Sequence, residues 1–235
     1  GSETLFARRD INTYHMPRRH VPLIDGEFYH VYNRGVEKRP IFSDRRSYQR
    51  FIATINYYRF IHQPMRLSNF FKLSVEKRSS LIDLQNRSPS HITISCFVLM
   101  ENHFHLLLQQ EPKGDISVFL RNLCDSYTRY FNTRDHRVGP LFQGQFKAVR
   151  IESDDQLIHV SRYIHLNPYS SGLVKTLDEL IQYAWSSLPL YMHPPDNSSI
   201  CNTSPILNAF KTRDSYWKFI ADQADYQRKL DNIKH

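Results

Sequence analysis

Residues 91–110 read HITISCFVLMENHFHLLLQQ, and this stretch decides the fold. The first half, 91–100, is β-branched and apolar enough to read as a strand, and 103–110 (HFHLLLQQ) reads as a second. Glu101-Asn102 leaves room for only a two-residue turn. The pair therefore predicts an antiparallel hairpin, although its turn lacks the glycine such turns favour. Alternate side chains of a strand share a face, so His103 and His105 project together while Phe104 points to the opposite side. On one strand face their Cβ atoms lie roughly 6.5–7 Å apart, from a rise of about 3.3 Å per residue. Bonds of about 2 Å from both rings can then meet on one metal ion. A His-x-His is by itself a weak signal, because two half-buried polar residues on a sheet give the same pattern.

Upstream, residues 28–33 (FYHVYN) are aromatic and β-branched between Gly26 and Gly35, and predict a strand. Ser43-Asp44 offers a helix N-cap, and Phe51, Ile52, Ile55, Tyr58 and Phe60 follow a helical stripe. Residues 61–90 are mixed and polar and read as a connection with room for one helical turn. Downstream, Asp115 caps an amphipathic helix whose apolar stripe is Ile116, Phe119, Leu120, Leu123, Tyr127, Tyr130 and Phe131. Gly139-Pro140 breaks the pattern, and 146–151 (FKAVRI) reads as another strand. Residues 154–166 form a helix that stops near Pro168. The remainder includes residues 177–188 and a terminal helix over 216–233. The order strand–helix–strand–strand–helix–strand–helix predicts an α+β domain with helices on one face of an antiparallel sheet.

With 235 residues, 40% of them hydrophobic, the chain can bury a sizeable core. Seven glycines and no G-x-x-x-x-G-K-[ST] or G-x-G-x-x-G argue against a fold built on a glycine-rich nucleotide loop. The formal charge is +8, and residues 1–60 hold 11 Lys/Arg against 6 Asp/Glu. Such a surplus favours a polyanionic partner, because neutralised phosphates release counterions. Cys96, Cys124 and Cys201 are too few and too widely spaced for a disulfide framework or a zinc set, which points to a reducing interior. No apolar run approaches the ~18–20 residues of a membrane span, and no signal-peptide pattern opens the chain. Residues 1–15 read as a tag or leader with little order.

Tyr163 lies in VSRYIHLNP, where residues four apart share a helix face, so Tyr163 and Asn167 are neighbours. A phenol has a pKa near 10 and is a poor nucleophile at neutral pH. It becomes useful where a metal stabilises charge on a phosphate under attack, and Asn167 offers that metal an oxygen. A tyrosine nucleophile conserves phosphodiester energy in a covalent link, which suits strand transfer. Among 14 tyrosines, spacing alone equally allows a core aromatic on an amphipathic helix.

Read in order, FVLMENHFHLLL (97–108), GPLFQGQFKAVRIESDDQLIHVSRYIHLNP (139–168) and YAWSS (183–187) resemble the single-tyrosine HUH transposases. That family is named for its histidine–hydrophobe–histidine motif, here His103-Phe104-His105. The opening MPRRH…GEFYHVYNRG (16–35) is similar to its first strand, and the closest branch is that of the REP-associated tyrosine transposases. The resemblance covers roughly residues 16–190, with 61–90 as a variable insertion and 191–235 as a C-terminal helical extension. It implies a ferredoxin-like, RRM-type sheet. It implies Mg²⁺ or Mn²⁺ held by His103 and His105, with Asn167 in the place of the third ligand. Two imidazoles make Mn²⁺ chemically comfortable, since Mg²⁺ prefers oxygen shells. It implies Tyr163 as a nucleophile that forms a 5′-phosphotyrosine on single-stranded DNA carrying hairpins. It further implies a cytoplasmic, nucleoid-associated bacterial protein, as a monomer or homodimer. Three stretches depart from the family: Glu101 stands where it has proline, Gln145 where it has a basic residue, and Tyr169-Ser170-Ser171 where it has V-[RK]-A. None removes a catalytic group.

Hairpin binding needs cations for phosphates and exposed aromatics for unpaired bases, at roughly 1–3 kcal/mol per stacked base. The candidate cations are Arg18, Arg19, Arg34, Lys38 and Arg39 near the first strand, with Lys147 and Arg150 beside the site. Phe142, Phe146 and Tyr169 read as core. The tail, with Trp185, Tyr191, Trp217 and Phe219, either packs on the domain or contacts DNA. Two rival functions use parts of the same pattern. One is a hairpin-DNA-binding protein, domesticated from a transposase, that does not cleave. The other is a metal phosphodiesterase with water as nucleophile.

Overall fold

The computed structural model describes residues 22–194 and 200–233. Four strands form one antiparallel sheet: β1 (Phe28–Arg34), β2 (Ile92–Met100), β3 (His103–Gln110) and β4 (Lys147–Arg150), in the order β2-β3-β1-β4. That is the ferredoxin-like arrangement, in which β3 lies between β2 and β1.

The β2–β3 hairpin closes through the expected two residues, Glu101 and Asn102, and neither has a positive φ. The turn is held from outside. Ile41 and Phe42 donate their backbone N–H groups to the Glu101 carbonyl at 2.8 and 2.9 Å, and Gly35 donates to that of Asn102 at 2.8 Å. Gly35 is required by space: a Cβ there would meet the Arg39 carbonyl oxygen at 2.3 Å. The segment after β1 thus replaces the stabilisation that a glycine-containing turn would bring.

Two helices cover one face of the sheet. α1 (Arg45–Tyr58) starts at Asp44, whose carboxylate accepts from Ser47 N–H at 2.7 Å while Ser47 Oγ accepts from Asp44 N–H, a capping box. α4 (Ile116–Arg134) starts at Asp115, which accepts from Ser117 and Val118. Between α1 and β2 lie α2 (Leu67–Phe70) and α3 (Val75–Gln85), so 61–90 is more helical than a connection with one turn. α3 shows no apolar stripe, and Gln85 alone is buried along it. Ser74 caps it, and Leu81 and Ile82 lean on Tyr57, Leu67 and Phe70. Phe51 and Ile55 of α1 and Phe119, Leu120, Leu123 and Tyr127 of α4 close over Tyr29, Val31, Phe97, Leu99, Phe104 and Leu106.

α1 and α4 bear out helices packed on one face; the other face is covered as well. β2 is apolar on both sides, so both sides must be buried. A bulge at Ser95 shifts its register between Ile94 and Cys96. Beyond the bulge Phe97 and Leu99 face α1 and α4, while Cys96, Val98 and Met100 face the opposite layer. There α5 (Asp154–Ser170) packs with α6 (Leu177–Ile181), α7 (Leu188–Met192), α8 (Ser204–Leu207), α9 (Arg213–Ala221) and α10 (Ala224–Ile233). The tail therefore packs on the domain: Tyr191, Ile206, Tyr216 and Ile220 are buried against α5 and β2. The terminal helix expected over 216–233 is two helices, broken at Asp222-Gln223. Residues 185–187 pair with the outer edge of β2, with Leu99 N–H donating to the Trp185 carbonyl and Ser187 N–H to that of Phe97. Among the described residues no helix is long and apolar enough to cross a membrane.

Candidate functional site

Strand alternation fixes the first half of the site. Phe104 lies in the α1/α4 core, and His103 and His105 point to the α5 side. Their rings stand 5.1 Å apart at the centroids, at 86°. The second half comes from α5, which begins at the Ser153 cap and continues through Pro168 to Ser170. The helix runs on past Pro168, which forgoes one backbone bond in the last turn and whose ring is buried. Tyr163 and Asn167 are successive turns of one helix face and both reach the histidines. The Tyr163 ring is half-buried and stands edge-on to His105, centroids 5.6 Å apart at 86°. Asn167 Oδ1 lies 3.3 Å from His103 Nε2. His103 Nδ1 contacts Asn102 Oδ1 at 2.6 Å.

A third imidazole joins them. His30 on β1 places Nε2 2.9 Å from His105 Nδ1, with the ring centroids 5.1 Å apart, and its ring stands T-shaped to that of Tyr163 at 5.9 Å. Sequence reasoning missed His30. Its only local sign is a polar residue at the centre of an aromatic strand, and its partner lies 75 positions away.

Burial sets the charge state. Desolvation holds His30 down at about 4. His105 is held well below the ordinary imidazole value by burial first, then by His30 and His103. Desolvation also lowers His103, against the Asn167 hydrogen bond that favours its charged form. Neutral imidazoles keep a nitrogen lone pair, which is the form a metal ion takes. Among the described residues no cluster of three His, Cys, Asp or Glu side chains makes a metal site. The donor set on offer is instead two imidazoles and an amide oxygen, and it suits a hard to borderline divalent ion.

α5 is held rigidly. His165, fully buried, contacts Tyr216 Oη through Nδ1 and Ser187 Oγ through Nε2, both at 2.8 Å, and burial pushes it down to about 3. From α10, Gln227 donates to the Tyr163 carbonyl at 3.3 Å and Arg228 to that of Tyr169 at 2.9 Å. The Arg228 guanidinium lies over the Tyr169 ring at 3.4 Å. These contacts, formed across the tail, set the pitch of the tyrosine helix against the sheet.

The candidate cations are spread unevenly. Arg18 and Arg19 lie outside the described residues. Arg34 is exposed, pairs in register with His103 and donates to Gln143. Lys38 is exposed in the turn beside Asn102, which donates to its carbonyl at 3.1 Å. Arg39 folds back on the Val36 carbonyl and Glu37. Lys147 is exposed and pairs in register with Tyr32, whose ring lies 5.2 Å from His30 and 5.5 Å from His105. Arg150, three residues on, pairs with buried Tyr29 and forms a 2.9 Å ion pair with Glu27. Lys147 thus shares the site's face, and Arg150 does not.

Fold and site together define a class: an α+β protein with a ferredoxin-like sheet whose paired-histidine strand faces a tyrosine helix. Residues 53–167 match the family described as "Transposase IS200 like". A solved structure, described as that of a REP-associated tyrosine transposase bound to a REP hairpin, shares the fold. Its TM-score is 0.52 at 15% identity, over 81% of this chain and 96% of that one. No curated protein sequence matches the chain.

Proposed function

We propose that this protein cleaves single-stranded DNA beside a hairpin and rejoins it, through a covalent 5′-phosphotyrosine on Tyr163 and with a divalent ion. One observation carries this reading. His103 and His105 from the hairpin and Tyr163 and Asn167 from α5 meet at one place within one chain. His103, His105 and Asn167 would hold Mg²⁺ or Mn²⁺, which supplies polarisation of the scissile phosphate and neutralises charge as it develops. The Tyr163 phenol oxygen attacks phosphorus and gives up its proton. The bond to the 3′-oxygen breaks and that oxygen leaves as a 3′-OH. A later 3′-OH attacks the phosphotyrosine, restoring the phosphodiester and the phenol.

Hairpin DNA is proposed as the substrate because the structurally similar REP-associated transposase is described as bound to a REP hairpin. Arg34 and Lys147, in register with His103 and Tyr32, and Lys38, in the turn beside Asn102, are exposed cations suited to the strand's phosphates. Transposition or recombination in a bacterial cytoplasm is the setting that goes with such chemistry.

The test is incubation with a hairpin-bearing single strand, with and without Mn²⁺, read on a denaturing gel for cut strand and protein-linked DNA. Both products are expected, and only with metal. Hairpin binding without any cut in Mg²⁺ or Mn²⁺ would favour the non-cleaving alternative. Cutting with no protein-linked DNA would favour a water nucleophile.

A further inference from the structure

We infer that His30 is a positioning residue whose Nε2 accepts a hydrogen bond from His105 Nδ1, leaving His105 Nε2 bare as the metal-binding atom. This rests on the reading of His103 and His105 as ligands.

The 2.9 Å separation of the two nitrogens requires one hydrogen between them. A neutral imidazole carries a single N–H. If His30 donated it, the one proton of His105 would sit on Nε2 and block that lone pair. If His105 donates, Nε2 is unprotonated before any ion arrives. Metal-binding histidines generally donate their other N–H to an acceptor that fixes tautomer and ring orientation. A carboxylate or carbonyl usually fills that place; here an imidazole from the neighbouring strand does.

The backbone sets the distance. His30 pairs in register with Leu107, two residues from His105 on the same face, so β1–β3 pairing delivers the ring to its partner. The ring is also gripped from the side, by Tyr32 at 5.2 Å and by Tyr163, T-shaped to it at 5.9 Å. His30 thus touches both the ligand and the tyrosine without needing contact with DNA.

The experiment is Mn²⁺ titration followed by electron paramagnetic resonance, on wild type, His103→Ala, His30→Phe and His30→Gln, with circular dichroism melts alongside. Phenylalanine keeps a ring and loses the acceptor. Glutamine returns a polar acceptor near the position of Nε2. His30→Phe is expected to bind Mn²⁺ about 10–100-fold more weakly, and His30→Gln to stay within about threefold of wild type. If wild type fails to bind, or His103→Ala binds as wild type does, the ligand reading itself fails. If wild type binds and His103→Ala does not, the ligand reading stands. Unchanged affinity in His30→Phe, or a glutamine variant as weak as the phenylalanine one, then overturns the role of His30 alone. A measurement without variants covers the case in which His30→Phe does not fold. Nitrogen–proton correlation spectra of the metal-free wild-type protein should show His105 protonated on Nδ1, and a proton on Nε2 would overturn the inference.

Discussion

The side-chain oxygen of Asn167 lies 3.3 Å from Nε2 of His103, joining the tyrosine helix to the histidine hairpin. Two donors on one octahedral ion, each at about 2.0–2.2 Å, stand about 3 Å apart. The pair is therefore spaced to share a cation. Asn167→Ala is expected to weaken Mn²⁺ binding roughly tenfold or more, whereas Asn167→Asp keeps an oxygen donor, adds charge and binds at least as well. Titration calorimetry decides, and an alanine variant with wild-type affinity would remove Asn167 from the metal site.

Tyr163 and Asn167 approach His105 and His103 of their own chain. A mixture of Tyr163→Phe and His103→Ala proteins should therefore remain as inactive as either alone. Recovery of cleavage on mixing would show that the tyrosine serves a partner's histidines.

Lys147 and Arg150 differ in what holds them. Lys147 is exposed on the site's face, while Arg150 is tied to Glu27 on the other. Lys147→Ala should weaken hairpin binding and lower the slope of log affinity against log salt by about 0.7, the value for one phosphate of a single strand. Arg150→Ala should leave the slope unchanged. Equal slope changes in the two variants would contradict this division.

Much of this layout is legible in the sequence. The strand period places His103 and His105 together, and helical spacing joins Tyr163 to Asn167, so each half of the site needs only local geometry. What escapes is what long-range pairing decides. His30 reaches His105 only because β1 lies beside β3. The bulge at Ser95 is invisible where both faces are apolar, because no alternation exists to be broken. α3 lacks the stripe that reveals a helix, and α5 runs on past Pro168, with its last turn buried. His165 looks like a polar residue near the tyrosine. Its role in holding α5 depends on Tyr216 and Ser187, 51 and 22 positions away.

Burial of neutral histidines gives the metal-free protein a definite pH response. Desolvation holds His165 at about 3 and His30 at about 4 in the folded chain, while an unfolded histidine titrates near 6.5. Above that value neither state takes up the proton. Below it the unfolded chain gains protons that the folded one refuses, so stability falls as pH drops from about 6.5 toward 4. Each such histidine costs about 1.4 kcal/mol per pH unit in that window. Melting temperature at constant ionic strength should decline steadily from pH 6.5 to 5, with His165 still neutral in proton spectra. A flat profile would mean these rings are not buried as neutral groups.

The decisive observation concerns a single bond, between a tyrosine oxygen and a DNA phosphorus. Protein incubated with hairpin-bearing single-stranded DNA and Mn²⁺ can be digested and its nucleotide-linked peptide sequenced by mass spectrometry. The expected result is one modified peptide, carrying the phosphate on Tyr163 and absent from Tyr163→Phe. A linkage at any other residue, or an undiminished yield from the Tyr163→Phe protein, would contradict the account.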